Sequence, residues 1–160
     1  MFRGRHHLKL DAKGRLSIPA RFRETVNVLH DGNLVISQGF FGDFPHLLLV
    51  PLDAWMQFES RFGGEDLFDT TVDQFHARLR TMGACVEARI DEHGRILVPV
   101  IYRNYAGLEG EVACVGMGRY MSLWAPATLE QSLDRAEQNL EGIRGQLRTS
   151  PVRQDPSTDP

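Results

Sequence analysis

The chain has 160 residues, of which 42% are hydrophobic, and a formal net charge of −3 at pH 7. This length is enough for one or two small folded domains, and the apolar fraction is ordinary for a globular protein. The negative net charge excludes a simple polycation that binds nucleic acid by bulk charge. The sequence has no apolar run of membrane-spanning length and no visible secretory leader, so we expect a cytoplasmic protein without membrane association.

The positive charge is concentrated at the start of the chain. Residues 1–25 contain seven Lys or Arg against two acids, whereas residues 26–80 contain eight acids against three Arg. This asymmetry predicts a local basic surface, formed by the first hairpin on an otherwise acidic body, of the kind that nucleic acid binds. The basic residues that we expect in this surface are Arg3, Arg5, Lys9, Lys13 and Arg15.

The first predicted element after the initial strand is a turn that occurs again eighty positions later. Residues 10–23 and 90–103 both follow the pattern apolar-Asp-x-x-Gly-Arg-apolar-x-apolar-Pro-x-x-aromatic-Arg. The Asp, the Gly, the Pro and both Arg are identical, which indicates an internal duplication. The spacing predicts a tight turn, because Asp caps nearby backbone N–H groups and Gly adopts a positive φ. The turn residues are Asp11 and Gly14 in the first copy and Asp91 and Gly94 in the second.

A short strand and a helix are predicted after each turn. Alternation places Arg15 and Ser17 on one face of the first strand, and Arg95 and Leu97 on one face of the second. The proline that follows cannot donate a hydrogen bond to a neighbouring strand, so it ends the strand and can begin a helix. The predicted helices span Pro19 to about Val26 and Pro99 to about Ala106.

Two roles are open for the arginine that each turn presents. It can form a structural ion pair with the acid four residues earlier, Asp11 with Arg15 and Asp91 with Arg95. It can also contact a partner, because an arginine that a carboxylate orients is preorganised for a phosphate or a guanine edge. The first role does not exclude the second.

Between the two copies, the sequence predicts two short strands followed by a helical hairpin. The strands include residues 34–36 and 46–50, and we interpret the three Phe in the loop between them as covering the core rather than stacking on bases. The first helix begins at Pro51, and the second runs from about Asp66 to Met82. Apolar residues at helical spacing give each helix an apolar face: Trp55, Phe58 and Phe62 in the first, and Val72, Phe75, Leu79 and Met82 in the second.

After the second copy, the sequence predicts a hairpin and a last helix. The strands are residues 111–115 and 120–124, with a turn at residues 116–118, and the helix begins at Pro126. Its apolar face has heptad spacing and either packs on its own domain or pairs with a neighbouring subunit. We expect residues 149–160 to be disordered. The residues of the apolar face are Leu129, Leu133, Ala136, Leu140, Ile143 and Leu147.

The sequence contains no recognisable catalytic or cofactor motif. Its six His form no HExxH or i,i+4 pair, and there is no P-loop, G-x-S-x-G or GxGxxG pattern. Cys85 and Cys114 lack metal-site spacing and lie in apolar, strand-like runs, so we expect reduced core cysteines. We therefore expect no enzyme activity, no catalytic residue, no metal and no cofactor.

The paired motifs resemble a known family. Asp-x-x-Gly-Arg-Leu-x-Ile-Pro after a short first strand is similar to a swapped-hairpin domain of the SpoVT–AbrB type. Two copies about eighty residues apart, together with residues 102–108 and 123–124, resemble the MraZ family over about residues 1–145. The resemblance implies an α+β fold with a mainly β core, in which duplicated swapped-hairpin units form a pseudo-symmetric small β-barrel. A helical hairpin lies between the repeats, and a helix follows the second repeat.

The resemblance also sets the expected domain boundaries. We expect residues 5–54 to form the first SpoVT–AbrB-like repeat, residues 55–82 a helical linker and residues 83–126 the second repeat. A C-terminal helix over residues 127–148 and a disordered tail over residues 149–160 complete the chain.

The implied function is that of a bacterial transcription regulator. Similar proteins bind repeated double-stranded DNA elements upstream of the division and cell-wall gene cluster that includes their own promoter, and form rings of identical subunits in the cytoplasm and nucleoid. In this chain His93 stands where the first copy has Lys13, which leaves the second turn less basic. A ring-forming protein-interaction scaffold that binds no nucleic acid is the competing interpretation. The expected DNA-binding residues are Arg15, Arg95, Lys13, Arg3, Arg5 and Lys9.

Overall fold

The computed structural model describes residues 1–39, 42–62, 71–140 and 144, and it has an α+β fold with a mainly β core. In these residues the strands are β1 (Phe2–Lys9), β2 (Arg15–Ser17), β3 (Asn33–Gln38), β4 (Leu47–Pro51), β5 (Cys85–Arg89), β6 (Arg95–Leu97), β7 (Glu111–Gly118) and β8 (Met121–Trp124). The helices are α1 (Ala20–His30), α2 (Leu52–Phe62), α3 (Val72–Thr81), α4 (Val100–Ala106) and α5 (Pro126–Gln138).

Six strands form one antiparallel sheet in the order β1-β7-β8-β4-β3-β5. The first strand of each half pairs with the other half: β1 lies against β7, from Phe2 opposite Gly118 to Lys9 opposite Glu111, and β5 lies against β3. The hairpins β3–β4 and β7–β8 meet in the middle through β4 and β8. The two halves therefore share one sheet.

The described sheet is not closed, so the expectation of a closed small barrel is wrong. Strands β1 and β5 are its two edges, and β2 and β6 pair with each other in a separate two-stranded sheet. These two strands have only three residues each, and Pro19 and Pro99 follow them closely. Because proline cannot donate to a strand ladder, the ribbon cannot extend into the larger sheet there.

The main core lies between the six-stranded sheet, the β2–β6 ribbon and the two motif helices, α1 and α4, which follow the turns. Leu16 and Ile96 on the inner face of the ribbon are at most 1% exposed, and they belong to the same cluster as Phe2 and Phe22. The rings of these two Phe pack edge to face at a centroid distance of 5.4 Å, a favourable arrangement for aromatic pairs. The ribbon is therefore fixed by burial of its inner face, which leaves its outer face to solvent.

The element boundaries differ clearly from the predicted ones at three places. Helix α5 ends at Gln138, with Asn139 as its C-cap, whereas the predicted C-terminal helix continues to residue 148. Helix α1 continues to His30, four residues beyond the predicted end, and ends where Asp31 adopts a φ of 50°. The residues predicted as a turn, Gly116 to Gly118, are instead the end of β7, because β1 extends along them from Phe2 to Gly4.

The predicted apolar face of α3 is exposed in the single chain. Val72, Phe75 and Leu79 are each more than half exposed, although they have the helical spacing of a core-facing stripe. The period of a sequence shows that apolar residues share a face, but it does not specify which surface covers that face. In α2, by contrast, Trp55 is buried and Phe58 packs beside it, as predicted.

The C-terminal helix packs on its own domain at its start. Leu129 is buried and Leu133 packs against the same cluster, whereas Ala136 and Leu140 are exposed. Phe44 of the predicted aromatic loop also packs against this cluster. The predictions for Phe40, Phe41, Ile143, Leu147, the side chain of Phe62, the start of the second linker helix at residues 66–70 and the tail at residues 149–160 lie outside the described residues.

Cys114 is a buried core residue of β7, as predicted. Burial raises the pKa of its thiol to about 12, so the thiolate that reacts with alkylating reagents is scarce at neutral pH. We expect iodoacetamide at pH 8 to leave Cys114 unmodified in the folded protein and to modify it after unfolding in urea, as measured by mass spectrometry of the tryptic peptides. Rapid modification of the folded protein would contradict this assignment.

Among the described helices, none combines the length and apolar character that crossing a bilayer requires.

Candidate nucleic-acid interface

The first turn is built around the carboxylate of Asp11. Its Oδ1 accepts hydrogen bonds from the backbone N–H groups of Lys13 and Arg15, at 2.9 and 2.8 Å. Its Oδ2 accepts one from Nε of Arg15 at 2.9 Å. The backbone closes the turn, because the N–H of Gly14 donates to the carbonyl of Asp11 at 3.0 Å and Gly14 adopts a φ of 81°. One carboxylate therefore fixes both the turn and the arginine that it presents.

The second turn repeats this geometry. Oδ1 of Asp91 accepts from the backbone N–H groups of His93 and Arg95 at 2.9 Å each, and Oδ2 accepts from Nε of Arg95 at 3.2 Å. Gly94 has a φ of 74°, and its N–H donates to the carbonyl of Asp91 at 2.9 Å. The predicted turns and ion pairs are confirmed in both copies.

Strand pairing brings the two turns into one ribbon. In β2 and β6, Arg15 lies opposite Leu97, and Ser17 lies opposite Arg95. Residues directly opposite in an antiparallel pair point to the same face, so these four side chains share the outer face and the two arginines stand diagonally across it. We call this face, formed by Arg15, Ser17, Arg95 and Leu97, the arginine face.

The arginines of this face are accessible although they are partly packed. Their side chains are 33% exposed for Arg15 and 27% for Arg95. In the hydrogen bonds among the described residues, each side chain uses only its Nε, toward its own Asp. The terminal Nη1 and Nη2 groups are the atoms that form the fork by which arginine binds phosphate or guanine. Each aspartate therefore orients a guanidinium without occupying its terminal donors.

The turn geometry also sets the ionisation of both carboxylates. The backbone N–H of Arg15 is the main group that holds the pKa of Asp11 below its usual range, with the Arg15 side chain and the N–H of Lys13 adding to it. The backbone N–H of Arg95 does the same for the pKa of Asp91. Hydrogen bonds to the charged form favour it, so each turn keeps an ionised carboxylate down to a lower pH than a free Asp does.

The lowered pKa values of Asp11 and Asp91 predict a pH below which the turns lose this stabilisation. Since the folded-state pKa of Asp11 and Asp91 is depressed, their contribution to stability is present above the ordinary pKa of Asp and is lost as the pH falls through the folded value. We expect carbon-13 NMR titration of both carboxyl groups to give midpoints below those of the same residues in the urea-unfolded chain. Equal midpoints in the two states would contradict the hydrogen-bonded turns.

The remaining predicted basic residues lie at different distances from the arginine face. Lys13 is exposed at the tip of the first turn, and Lys9 is at the end of β1 nearest to it. Arg3 and Arg5 lie farther along β1, with Arg5 five residues before Leu10, which bridges to β2. At about 3.3 Å per residue, this separation is about 17 Å. The structure thus brings Lys13 and Lys9 to the turn end and leaves Arg3 and Arg5 on the sheet edge.

Four residues of this region are not among the predicted site residues: Ser17 and Leu97 on the arginine face, and Arg23 and Arg103 beside the turns. Leu97 is 57% exposed and lies directly opposite Arg15, a juxtaposition that depends on the pairing of β2 with β6. Arg23 and Arg103 lie against the glycines of the turns. The sequence could have indicated these two arginines, since they occupy the same position in both copies of the repeated motif.

The fold and the site together define a class: an α+β protein with an internal duplication, in which two equivalent turns present arginines on one exposed ribbon. The family model described as "MraZ protein, putative antitoxin-like" matches residues 1–77 and 82–145. The chain belongs to the MraZ family, and the resemblance noted from the paired motifs is confirmed.

Individual relatives match most of the chain. Proteins named "Transcriptional regulator MraZ" from Methylobacillus flagellatus and Shewanella violacea are 37% and 36% identical to it. The matches cover 78% of this chain and 81% of the first relative, and 91% of this chain and 91% of the second. The solution structure of PHS018 from Pyrococcus horikoshii is 14% identical, with a TM-score of 0.34 over 77% of this chain and 88% of that chain.

Proposed function

We propose that this chain is a sequence-specific DNA-binding transcriptional regulator, without enzyme activity, that uses its arginine face to contact double-stranded DNA. The observation that carries the proposal is the pairing of β2 with β6, which places Arg15 and Arg95 on one exposed face. The Nε of each arginine is hydrogen-bonded to the aspartate of its own turn. Membership of the MraZ family and the names of the relatives support it. The repeated elements upstream of the division and cell-wall gene cluster, including its own promoter, are the proposed target.

The shape of the arginine face suits the major groove of B-DNA. That groove is about 12 Å wide and admits a two-stranded β-ribbon, and an arginine can there form two hydrogen bonds with a guanine. Arg15 and Arg95 are the proposed base or phosphate contacts. Lys13 at the turn tip, with Lys9, Arg3 and Arg5 along β1, would neutralise phosphates beside the groove. This charge is local, which agrees with a negative net charge for the whole chain.

We further propose that the chain acts as a ring of identical subunits. One subunit offers few phosphate contacts, whereas several linked subunits that each address one DNA repeat multiply modest affinities. The exposed apolar residues of α3, Val72, Phe75 and Leu79, support assembly, because contiguous exposed apolar surface commonly marks an interaction site. A regulator of this kind would work in the cytoplasm, associated with the nucleoid.

The strand exchange between the halves supports the finer description of the fold. We propose that each half is a SpoVT–AbrB-type swapped hairpin, since β1 pairs with the second half and β5 with the first. The expected boundaries then describe two repeats, residues 5–54 and 83–126, joined by a helical linker over residues 55–82. Residues 127–148 form the C-terminal helix in this proposal, and residues 149–160 form the tail.

The direct test is a binding assay with the DNA upstream of its own gene, compared with a shuffled duplex of the same composition. We expect preferential binding to the upstream DNA, because base contacts discriminate between sequences. We also expect the affinity to fall steeply when salt rises from about 50 to 200 mM, since each phosphate contact releases counterions.

The competing scaffold function has a different signature in the same assay. A ring that only binds proteins would assemble normally and would retain neither duplex at the lower salt concentration. Equal retention of both duplexes would contradict sequence-specific regulation, because phosphate contacts alone carry no sequence information.

A further inference from the structure

The repeated motif ends in an arginine that lies outside the arginine face. Arg23 and Arg103 each follow their own turn glycine by nine positions, Gly14 and Gly94 respectively. Both are half-buried residues of the motif helices, Arg23 in α1 and Arg103 in α4. A charged side chain on a short surface helix is usually solvated. Both copies instead have a half-buried arginine at this position, and this burial needs a physical explanation.

The contacts of these arginines cross between the repeats. The guanidinium of Arg103 lies on the first turn: a Cβ added to Gly14 would be 2.9 Å from its Cζ and Nε and 3.0 Å from its Nη2. Arg23 lies in the same way on the second turn, where a Cβ added to Gly94 would overlap its Nη1 and be 2.6 Å from its Cδ. Each arginine therefore fills the space beside the turn glycine of the other copy.

Backbone hydrogen bonds follow the same crossed pattern. The N–H of Val98 donates to the carbonyl of Gly14 at 2.8 Å, and the N–H of Ile18 donates to the carbonyl of Gly94 at 3.0 Å. Nε of Arg103 also donates to the carbonyl of Val98 at 3.0 Å. In this way Arg103 is tied to the residue whose own N–H holds the first turn.

This packing has a clear physical basis. Both turn glycines are buried and have positive φ values, so each turn offers a flat, side-chain-free surface that suits a planar group. A guanidinium is planar, always charged and less strongly hydrated than an ammonium group, so it packs at such a surface better than lysine does. The position of a turn sets the position of the arginine that it presents, because Arg15 follows Gly14 directly, and Arg95 follows Gly94.

We propose that Arg23 and Arg103 are positioning residues that act across the repeats: Arg103 holds the turn that presents Arg15, and Arg23 holds the turn that presents Arg95. The consequence for DNA recognition rests on the proposed function, but the crossed dependence of the turns does not. Loss of one of these arginines disturbs the recognition arginine of the opposite repeat and leaves that of its own repeat in place.

Amide hydrogen exchange tests the crossed dependence without DNA. In Arg103→Ala, the amides of Lys13 and Arg15, which donate to Asp11, should exchange severalfold faster, while those of His93 and Arg95 keep their rates. Arg23→Ala should give the mirror result. Asn104→Ala and Glu24→Ala, exposed neighbours on the same helices, are the matched controls and should change neither turn.

A double-mutant cycle in the DNA-binding assay tests the functional consequence. Arg103→Ala should weaken binding severalfold in the natural chain and have little further effect in Arg15→Ala, because the residue that it positions is already absent. In Arg95→Ala it should keep its full effect. Arg103→Lys should not restore binding, since an ammonium group lacks the planar form.

The possible outcomes separate this proposal from the proposed function. Faster exchange in the variant's own repeat, equal change in both turns, or no change in either would overturn the positioning role. Direct DNA contact by Arg103 would instead give additive losses with both Arg15→Ala and Arg95→Ala, and would overturn it as well. If the natural chain retains no DNA but the crossed exchange pattern is found, the proposed function fails while the positioning role stands.

Discussion

Replacing Arg15 by alanine is expected to weaken binding to the DNA upstream of its own gene by about 5- to 150-fold per site, the range for loss of one arginine contact to a base. The side chain supplies terminal guanidinium donors on the arginine face, and Asp11 holds it in place through Nε. The change also removes one positive charge from each site, so the salt dependence of binding should become shallower. Electrophoretic mobility shifts over a salt series measure both effects.

A matched control separates this effect from a general loss of charge. Arg135→Ala removes the same charge from the exposed side of α5, far along the chain from the ribbon, and should leave affinity for the DNA nearly unchanged. Light scattering should give the same oligomer mass for both variants and the natural chain. Full binding by Arg15→Ala would remove Arg15 from the interface, and an equal loss in both variants would show that only total charge matters.

The largest expected loss of stability comes from Gly116→Ala in β7. Gly116 lies opposite Gly4 in the pairing of β1 with β7. An added Cβ would overlap the backbone N of Arg3 and would be 2.6 Å from the carbonyl carbon of Phe2. Backbone cannot yield as the end of a flexible side chain does, so β1 must shift and draw Phe2 out of the core. We expect a loss of about 3 kcal/mol in the free energy of unfolding.

Thermal unfolding measures this loss, and Gly83→Ala is the control at a glycine whose surroundings accommodate a Cβ. For a chain of this size, about 3 kcal/mol lowers Tm by about 6–12 °C. At Gly83 an added Cβ would meet only Cδ1 of Leu79, at an ordinary 3.5 Å, so Gly83→Ala should change Tm by no more than a degree or two. Equal Tm values for the two variants would show that the close approach of β1 to β7 does not contribute to stability.

The turns were predictable from sequence because everything that builds them is local. Asp11 accepts from N–H groups two and four residues ahead, and Gly14 supplies the positive φ within the same five residues. The same holds for the helices after Pro19 and Pro99, although α1 runs longer than its pattern indicated. In each case the physical determinants lie within one turn of chain.

Features that join distant parts of the chain were not predictable in the same way. The repeated sequence indicated that two turns exist, but no local signal specified that β2 pairs with β6 and places Arg15 diagonally from Arg95. The extension of β7 over residues 116–118 likewise depends on β1, more than one hundred residues earlier. The apolar face of α3 shows the same limit, because periodicity identifies a face and not the surface that covers it.

A photo-cross-linking experiment tests the proposed interface most directly. Ser17 is exposed on the arginine face, and Glu130 is exposed on α5, so a photoreactive benzophenone side chain is placed at one or the other position. We expect irradiation with the DNA upstream of its own gene to attach DNA to the chain labelled at position 17, and not to the chain labelled at position 130. Cross-linking at position 130 alone, by chains that bind DNA with natural affinity, would contradict recognition through the ribbon.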